Sequence, residues 1–128
     1  MAKILVVDDD AAMCRVLRAL FERDGYKVST ATSADEALSA IAPDAPERPD
    51  AVVCDVLMPG MTGLEFFERL AVIAPDLRES VVFLTGSSAD PAVHVPIEQL
   101  GVPLLGKLGD LHLVVDAIRL ALLRQKLG

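Results

Sequence analysis

The sequence holds two cysteines, no apolar run long enough to cross a bilayer and no cluster of basic residues, and each shortage removes a class of function. Cys14 and Cys54 are too few for a disulfide framework and lie in apolar context, so both read as reduced packing residues. The apolar runs fall well short of the ~20 residues that span a membrane, and no membrane partner is expected. Met-Ala-Lys, followed at once by a strand-like run and three acids, is no signal peptide, so the expected location is cytoplasmic. The Lys and Arg residues are scattered and the formal charge is −7. Nucleic acid is therefore not an expected partner, because counterion release needs clustered cations.

Hydrophobic residues make up 52% of the chain and charged ones 24%, a composition that argues against disorder. A chain of 128 residues can bury a core without disulfide or metal staples, so one domain over residues 1–128 is expected.

The pattern alternates strand and helix five times. Ile4-Leu5-Val6-Val7 leads into a helix from Asp10 to Asp24, with Met13, Val16, Leu17, Leu20 and Phe21 at helical spacing and Gly25 at its end. Lys27 to Ala31 alternates polar and apolar, as an edge strand does. Ser33 to Glu36 is a capping-box pattern opening a second helix, and Pro43, Pro46 and Pro49 mark a solvated loop. A second capping box, Thr62 to Glu65, opens a third helix carrying Leu64, Phe67, Leu70 and Ala71. Between Ser87 and Leu100, Pro91 and Pro96 predict a short, late-starting or irregular fourth helix, since an internal proline costs about 3 kcal/mol. Val102 to Leu105 reads as an edge strand because it contains Pro103. The last helix, from about Asp110 to Lys126, buries Leu111, Val114, Val115, Ile118, Ala121 and Leu122. Leu113, Leu120, Leu123 and Leu127 lie off that stripe and widen its apolar surface.

Such alternation implies a doubly wound parallel α/β sheet with right-handed crossovers. Polar-patterned strand two and proline-bearing strand five belong at the edges, which gives the strand order 2-1-3-4-5. The stretch Ala51 to Gly63 is central: Ala51 to Cys54 is a short strand apolar on both faces, it stops at Asp55, and a Pro59-Gly60 turn follows. Strand one ends in Asp8-Asp9-Asp10, strand four in Thr85-Gly86 and strand five in Gly106-Lys107, so Asp8, Asp9, Asp55, Thr85 and Lys107 converge on one rim. In open α/β sheets that carboxyl rim is where ligands bind. Three carboxylates held together call for a cation, and Mg²⁺, which takes oxygen ligands and pairs carboxylates with phosphoryl oxygens, suits them. With Lys107 opposite and Thr85 supplying a hydroxyl, the set reads as a receptor for a phosphoryl group transferred to Asp55.

These motifs, Asp8-Asp9, Asp55-Val-Leu-Met-Pro59-Gly-Met-Thr-Gly63, Thr85 and Lys107 in this order and spacing, resemble those of the receiver domain of two-component response regulators over essentially the whole chain. The resemblance implies the flavodoxin-like (βα)5 fold. It implies that Asp55 accepts a phosphoryl group from a phosphohistidine on a histidine kinase or histidine phosphotransfer domain. Asp9, Asp55 and the Leu57 carbonyl would hold Mg²⁺ directly and Asp8 mainly through water, while Thr85 and Lys107 would bind phosphoryl oxygens. Thr85 would then move inward and switch the face made by helix four, strand five and helix five, where a second copy or a neighbouring domain would dock. Such a protein is a stoichiometric phosphoacceptor and not an enzyme with turnover.

Three positions depart from the family pattern. Leu108 stands where proline usually follows the lysine, so a trans bond is expected, because a cis bond before a non-proline costs about 2.5–4 kcal/mol. Leu104 replaces the usual switch aromatic, and Gly86 an alanine. Leu57 and Ser87 occupy positions that influence loss of the phosphoryl group, and Leu57 has no group with which to orient water. His94 and His112 are expected to be exposed or capping. With no linker or DNA-binding module after the last helix, the expectation is a single-domain regulator, a phosphate relay or sink, or the receiver of a hybrid kinase or larger regulator. The rivals are a pseudo-receiver that binds a partner without phosphorylation, and a haloacid-dehalogenase-like phosphatase. The latter places its nucleophile in an Asp-x-Asp pair, whereas Asp8 and Asp9 are adjacent.

Overall fold

A computed structural model describes residues 1–86 and 91–127. Five parallel strands, β1 (Lys3–Val7), β2 (Lys27–Ala31), β3 (Ala51–Asp55), β6 (Val81–Thr85) and β7 (Leu104–Gly106), form a sheet in the order β2-β1-β3-β6-β7. This is the expected 2-1-3-4-5 order of the flavodoxin-like fold, with one addition. A two-residue antiparallel hairpin, β4 (Leu57–Met58) and β5 (Met61–Thr62), turns at Pro59-Gly60 directly after Asp55.

Alternation along the strands divides the core between the two faces. Leu5, Val7, Val52, Cys54, Val81 and Phe83 point toward α2 (Ala34–Ile41), α3 (Gly63–Ile73) and α4 (Pro91–Glu98). Ile4, Val6, Val53, Val82 and Leu84 point the other way, against α1 (Ala11–Arg23) and α5 (His112–Leu127). Burying each such side chain contributes about 1.5–3 kcal/mol, so every strand is held from both sides.

Local signals set the helix ends. Asp10 accepts hydrogen bonds from the Ala12 and Met13 amides at 2.9 and 3.4 Å, and Gly25 just beyond α1 takes φ +91°. Thr62 and Glu65 form the full capping box of α3. At α2 only half of the expected box forms: the Ser33 hydroxyl caps Glu36, but the Glu36 carboxylate accepts from Thr32 instead of the Ser33 amide. α4 is eight residues long, with Pro91 as its first residue and Pro96 inside it. The strand expected from Val102 begins at Leu104, with Pro103 contributing only its carbonyl to the Phe83 amide. Val16 faces solvent at 46% exposure, because Cys14, Leu17 and Phe21 already fill the buried arc of α1. The proline loop is partly fastened: Pro49 is buried and Arg48 forks onto Asp76 at 2.7 and 3.0 Å.

Gly63 is required by packing and not by a turn. A Cβ there would lie 2.9 Å from the Val56 Cα, 3.0 Å from the Phe83 ring and 3.2 Å from the Val56 carbonyl oxygen. Two of these three atoms are backbone that cannot rotate away. Gly63→Ala is expected to destabilise the fold by about 1–3 kcal/mol through overpacking. Urea unfolding should show a lower midpoint at an unchanged m-value. Gly86→Ala, whose Cβ would meet only the Lys107 Cδ at 3.9 Å, should leave the midpoint in place.

Candidate functional site

Strand register brings the polar residues to one level. Val7 pairs with Cys54, Asp55 with Leu84 and Thr85 with Gly106, so Asp8, Asp55, Thr85 and Lys107 each stand at or one residue past the last rung of the ladder. The hairpin after Asp55 reverses the chain, and the Gly63 amide closes it by donating to the Val56 carbonyl at 2.8 Å. Asp8, Asp55, Thr85 and Lys107 thus share one rim.

Asp8 and Asp55 are buried, at 1% and 7% exposure, whereas Asp9 is exposed. Oxygens of the three carboxylates lie within 4.8 Å of one another. The Lys107 Nζ stands between two of them, 2.7 Å from Asp8 Oδ2 and 2.9 Å from Asp55 Oδ2. Asp8 Oδ1 accepts from the Asp10 amide at 2.9 Å, and Asp55 Oδ1 from the Leu57 amide at 3.2 Å. Asp8 Oδ2 has no hydrogen bond of proper direction among the described residues, so the ammonium satisfies it by charge alone. The bond between Lys107 and Leu108 is trans, as expected, yet Lys107 still reaches the acids, because its amide is fixed to the Thr85 carbonyl at 2.9 Å.

The electrostatics follow from these contacts. Burial pushes the Asp55 carboxyl up, against the pull of the Lys107 hydrogen bond and the Leu57 amide, and the neighbouring Asp8 charge adds to the rise. Burial alone would lower the Lys107 pKa, but the adjacent Asp8 and Asp55 carboxylates together outweigh that and hold the ammonium above its usual range. The site therefore keeps one firmly charged cation beside carboxylates of which one is poorly stabilised. Burial raises both thiols as well, that of Cys54 strongly, so neither cysteine competes as a nucleophile.

The donor set fits a hard divalent cation: carboxylate oxygens on three residues, one of them lacking a directed partner, crowded near the surface. Soft nitrogen or sulfur ligands are not among the three. Thr85, 6% exposed at the end of β6, places its Oγ1 3.4 Å from the His94 Nε2. The two histidines, both expected to be exposed or capping, differ. His112 is indeed exposed and paired with Asp110, but His94 is half-buried with its ring against Thr85. Ser87 lies outside the described residues.

The chain matches the model of the response regulator receiver domain family over residues 4–119. It is 48% identical to the response regulator MprA of Mycolicibacterium vanbaalenii over 75 residues, which make up 59% of this chain and 31% of that relative. The match thus spans under a third of the relative's length. A response regulator receiver domain protein from Clostridium thermocellum superposes with a TM-score of 0.85 at 29% identity, covering 99% of this chain and 98% of that one. A response regulator from Burkholderia pseudomallei, solved with a phosphorylated aspartic acid, a calcium ion and citrate, superposes with a TM-score of 0.77 at 26% identity over 98% of this chain and 71% of that one. The chain belongs to the receiver domain family of response regulators, the proteins of two-component signalling. Among the described residues no helix is long and apolar enough to cross a membrane.

Proposed function

We propose that this chain, as a single cytoplasmic receiver domain over residues 1–128, is a stoichiometric phosphoacceptor. An Asp55 carboxylate oxygen attacks the phosphorus of a phosphohistidine on a histidine kinase or histidine phosphotransfer domain. The phosphorus–nitrogen bond breaks, and the imidazole leaves with the electron pair. The observation that carries this reading is the Lys107 ammonium at the rim, hydrogen-bonded to Asp55 and paired by charge with Asp8, a cation poised where phosphoryl oxygens would gather. Thr85 offers a hydroxyl to the same oxygens. Asp8, Asp9, Asp55 and the Leu57 carbonyl would hold Mg²⁺, which supplies charge neutralisation on the transferring group. The phosphorylated aspartic acid and cation of the Burkholderia pseudomallei relative support the same assignment here.

The output face is α4, β7 and α5. Leu113 and Leu120 on α5 are 52% and 58% exposed, and they give a second copy or a neighbouring domain an apolar surface to cover.

Incubation with acetyl phosphate and Mg²⁺ followed by intact mass tests the reading. A gain of one phosphoryl group, abolished by EDTA, is expected. No gain favours a partner-binding pseudo-receiver, and turnover of a small phosphate ester favours a haloacid-dehalogenase-like phosphatase.

The phosphorylated form should be long-lived. Leu57 is 53% exposed at the rim and has no polar group to position a water for attack. Leu57→Asn or Leu57→Glu should speed loss of the phosphoryl group about 2- to 10-fold, the rate equivalent of one hydrogen bond to that water. An unchanged decay in both variants would remove Leu57 from the explanation.

A further inference from the structure

The contact between Thr85 and His94 lies outside the cluster of acids and lysine. Their Oγ1 and Nε2 are 3.4 Å apart, a long hydrogen bond joining the end of β6 to the middle of α4. A threonine hydroxyl has one proton to donate. An ionised phosphoryl oxygen only accepts, so a Thr85 that serves a phosphoryl group on Asp55 must turn its proton toward that group. It cannot donate the same proton to an imidazole nitrogen.

The element that carries His94 is lightly held. α4 has eight residues, too few for a helix to be stable without packing. Pro96 removes an internal hydrogen bond, and Ile97 is the one buried side chain of the helix. An apolar cavity of about 160 Å³, lined in part by Val56, Leu57, Leu64, Val93, Pro96 and Ile97, separates α4 from the segment that follows Asp55. Leu104, half-buried on β7, offers no ring and no polar group through which Thr85 could signal.

We infer that His94 is a positioning residue for Thr85. In the unphosphorylated protein its Nε2 accepts the Thr85 proton and holds the hydroxyl toward α4; phosphorylation of Asp55 draws that proton away and releases α4. This deepens the phosphoacceptor reading and rests on it. It requires the His94 tautomer with its proton on Nδ1.

Proton–nitrogen correlation spectra of the imidazoles read the contact directly, with exposed His112 as the internal control. The expected result is a His94 ring with its proton on Nδ1 and none on Nε2, whose Nε2 resonance shifts on Thr85→Val and on addition of beryllofluoride with Mg²⁺, while His112 stays in place. A His94 proton on Nε2 overturns the inference. The second measurement is the rate of phosphorylation by acetyl phosphate. His94→Ala should react about 2- to 10-fold faster than wild type, because the resting hold worth one hydrogen bond is gone. His94→Gln, whose amide oxygen can accept the same proton, should return toward the wild-type rate. If both variants match wild type, or if alanine and glutamine accelerate equally, the inference fails alone. If the wild-type protein takes neither phosphoryl group nor beryllofluoride, the phosphoacceptor reading fails first and this inference with it.

Discussion

Asp55→Asn is expected to take up no phosphoryl group from phosphohistidine or acetyl phosphate and, at neutral pH without divalent cations, to be more stable than wild type. The loss is complete because an amide has no anionic oxygen to attack phosphorus, and neither Asp8 nor Cys54 can replace it. Asp8 is tied to Lys107 and the Asp10 amide, and the Cys54 thiol is wholly buried. The gain in stability follows from the direction of the Asp55 shift. Burial raises its folded-state pKa above the unfolded value, so its favourable contribution is present at low pH and lost as pH rises through the folded pKa. At neutral pH the ionised group is a cost, and a neutral isostere removes it. The expected gain is about 0.5–2 kcal/mol, typical of substitutions that trade function for stability. Thermal unfolding should show the variant's advantage shrinking as pH falls through the raised folded-state pKa of Asp55. It should also show Mg²⁺ stabilising wild type more than the variant. Equal melting temperatures at all pH values would mean that the crowding of acids carries no energetic cost.

Lys107→Met should slow phosphorylation about 10²- to 10³-fold, the usual effect of deleting one donor aimed at developing charge. The ammonium is the only group within 3 Å of both buried carboxylates among the described residues, so no neighbour substitutes for it. Breaking a buried ion pair by removing one partner commonly costs about 3–5 kcal/mol. Here the cost should be smaller, because burial already raises the Asp55 pKa and losing the cation raises it further, so the carboxyl can take up a proton instead of staying charged and unpaired. Without Lys107 the folded-state pKa of Asp55 rises further, so the deficit should appear as pH rises through that pKa and fade in acid. Lys107 itself, held above its ordinary value of 10.5, contributes stability that wild type loses only as pH rises through the folded pKa in the alkaline range. Mg²⁺ should restore more stability to the variant than it adds to wild type, since the cation would stand in for the missing charge. Parallel Mg²⁺ titrations followed by melting temperature and by initial rate check both halves.

What is readable from the chain depends on period and punctuation. Continuous apolar runs marked β1, β3 and β6 as buried on both faces, and Pro103 marked β7 as an edge, so strand order followed without coordinates. Once the order is known, residues at the ends of successive strands must share a rim, which is why Asp8, Asp55, Thr85 and Lys107 could be grouped. Side-chain direction within one helix is harder to read. Val16 fits the α1 stripe by spacing, but Cys14 and Phe21 occupy the arc it would share. The orientation of His94 is hidden in the sequence for a related reason. Nothing in a short helix carrying two prolines shows which turn faces β6, and only the fold brings its ring against Thr85. The close approach of Gly63 to Val56 likewise belongs to packing that no local pattern encodes.

The most direct measurement is to trap the acyl phosphate chemically. The protein is treated with acetyl phosphate and Mg²⁺, reduced with borohydride, digested and sequenced by mass spectrometry. Reduction converts a phosphorylated aspartate, and no free carboxylate, to homoserine. Homoserine at position 55 alone, absent when EDTA replaces Mg²⁺, is the predicted result. Homoserine at Asp8 or Asp9, or none at any position in a protein that still melts cooperatively, would contradict the assignment of Asp55 as the acceptor.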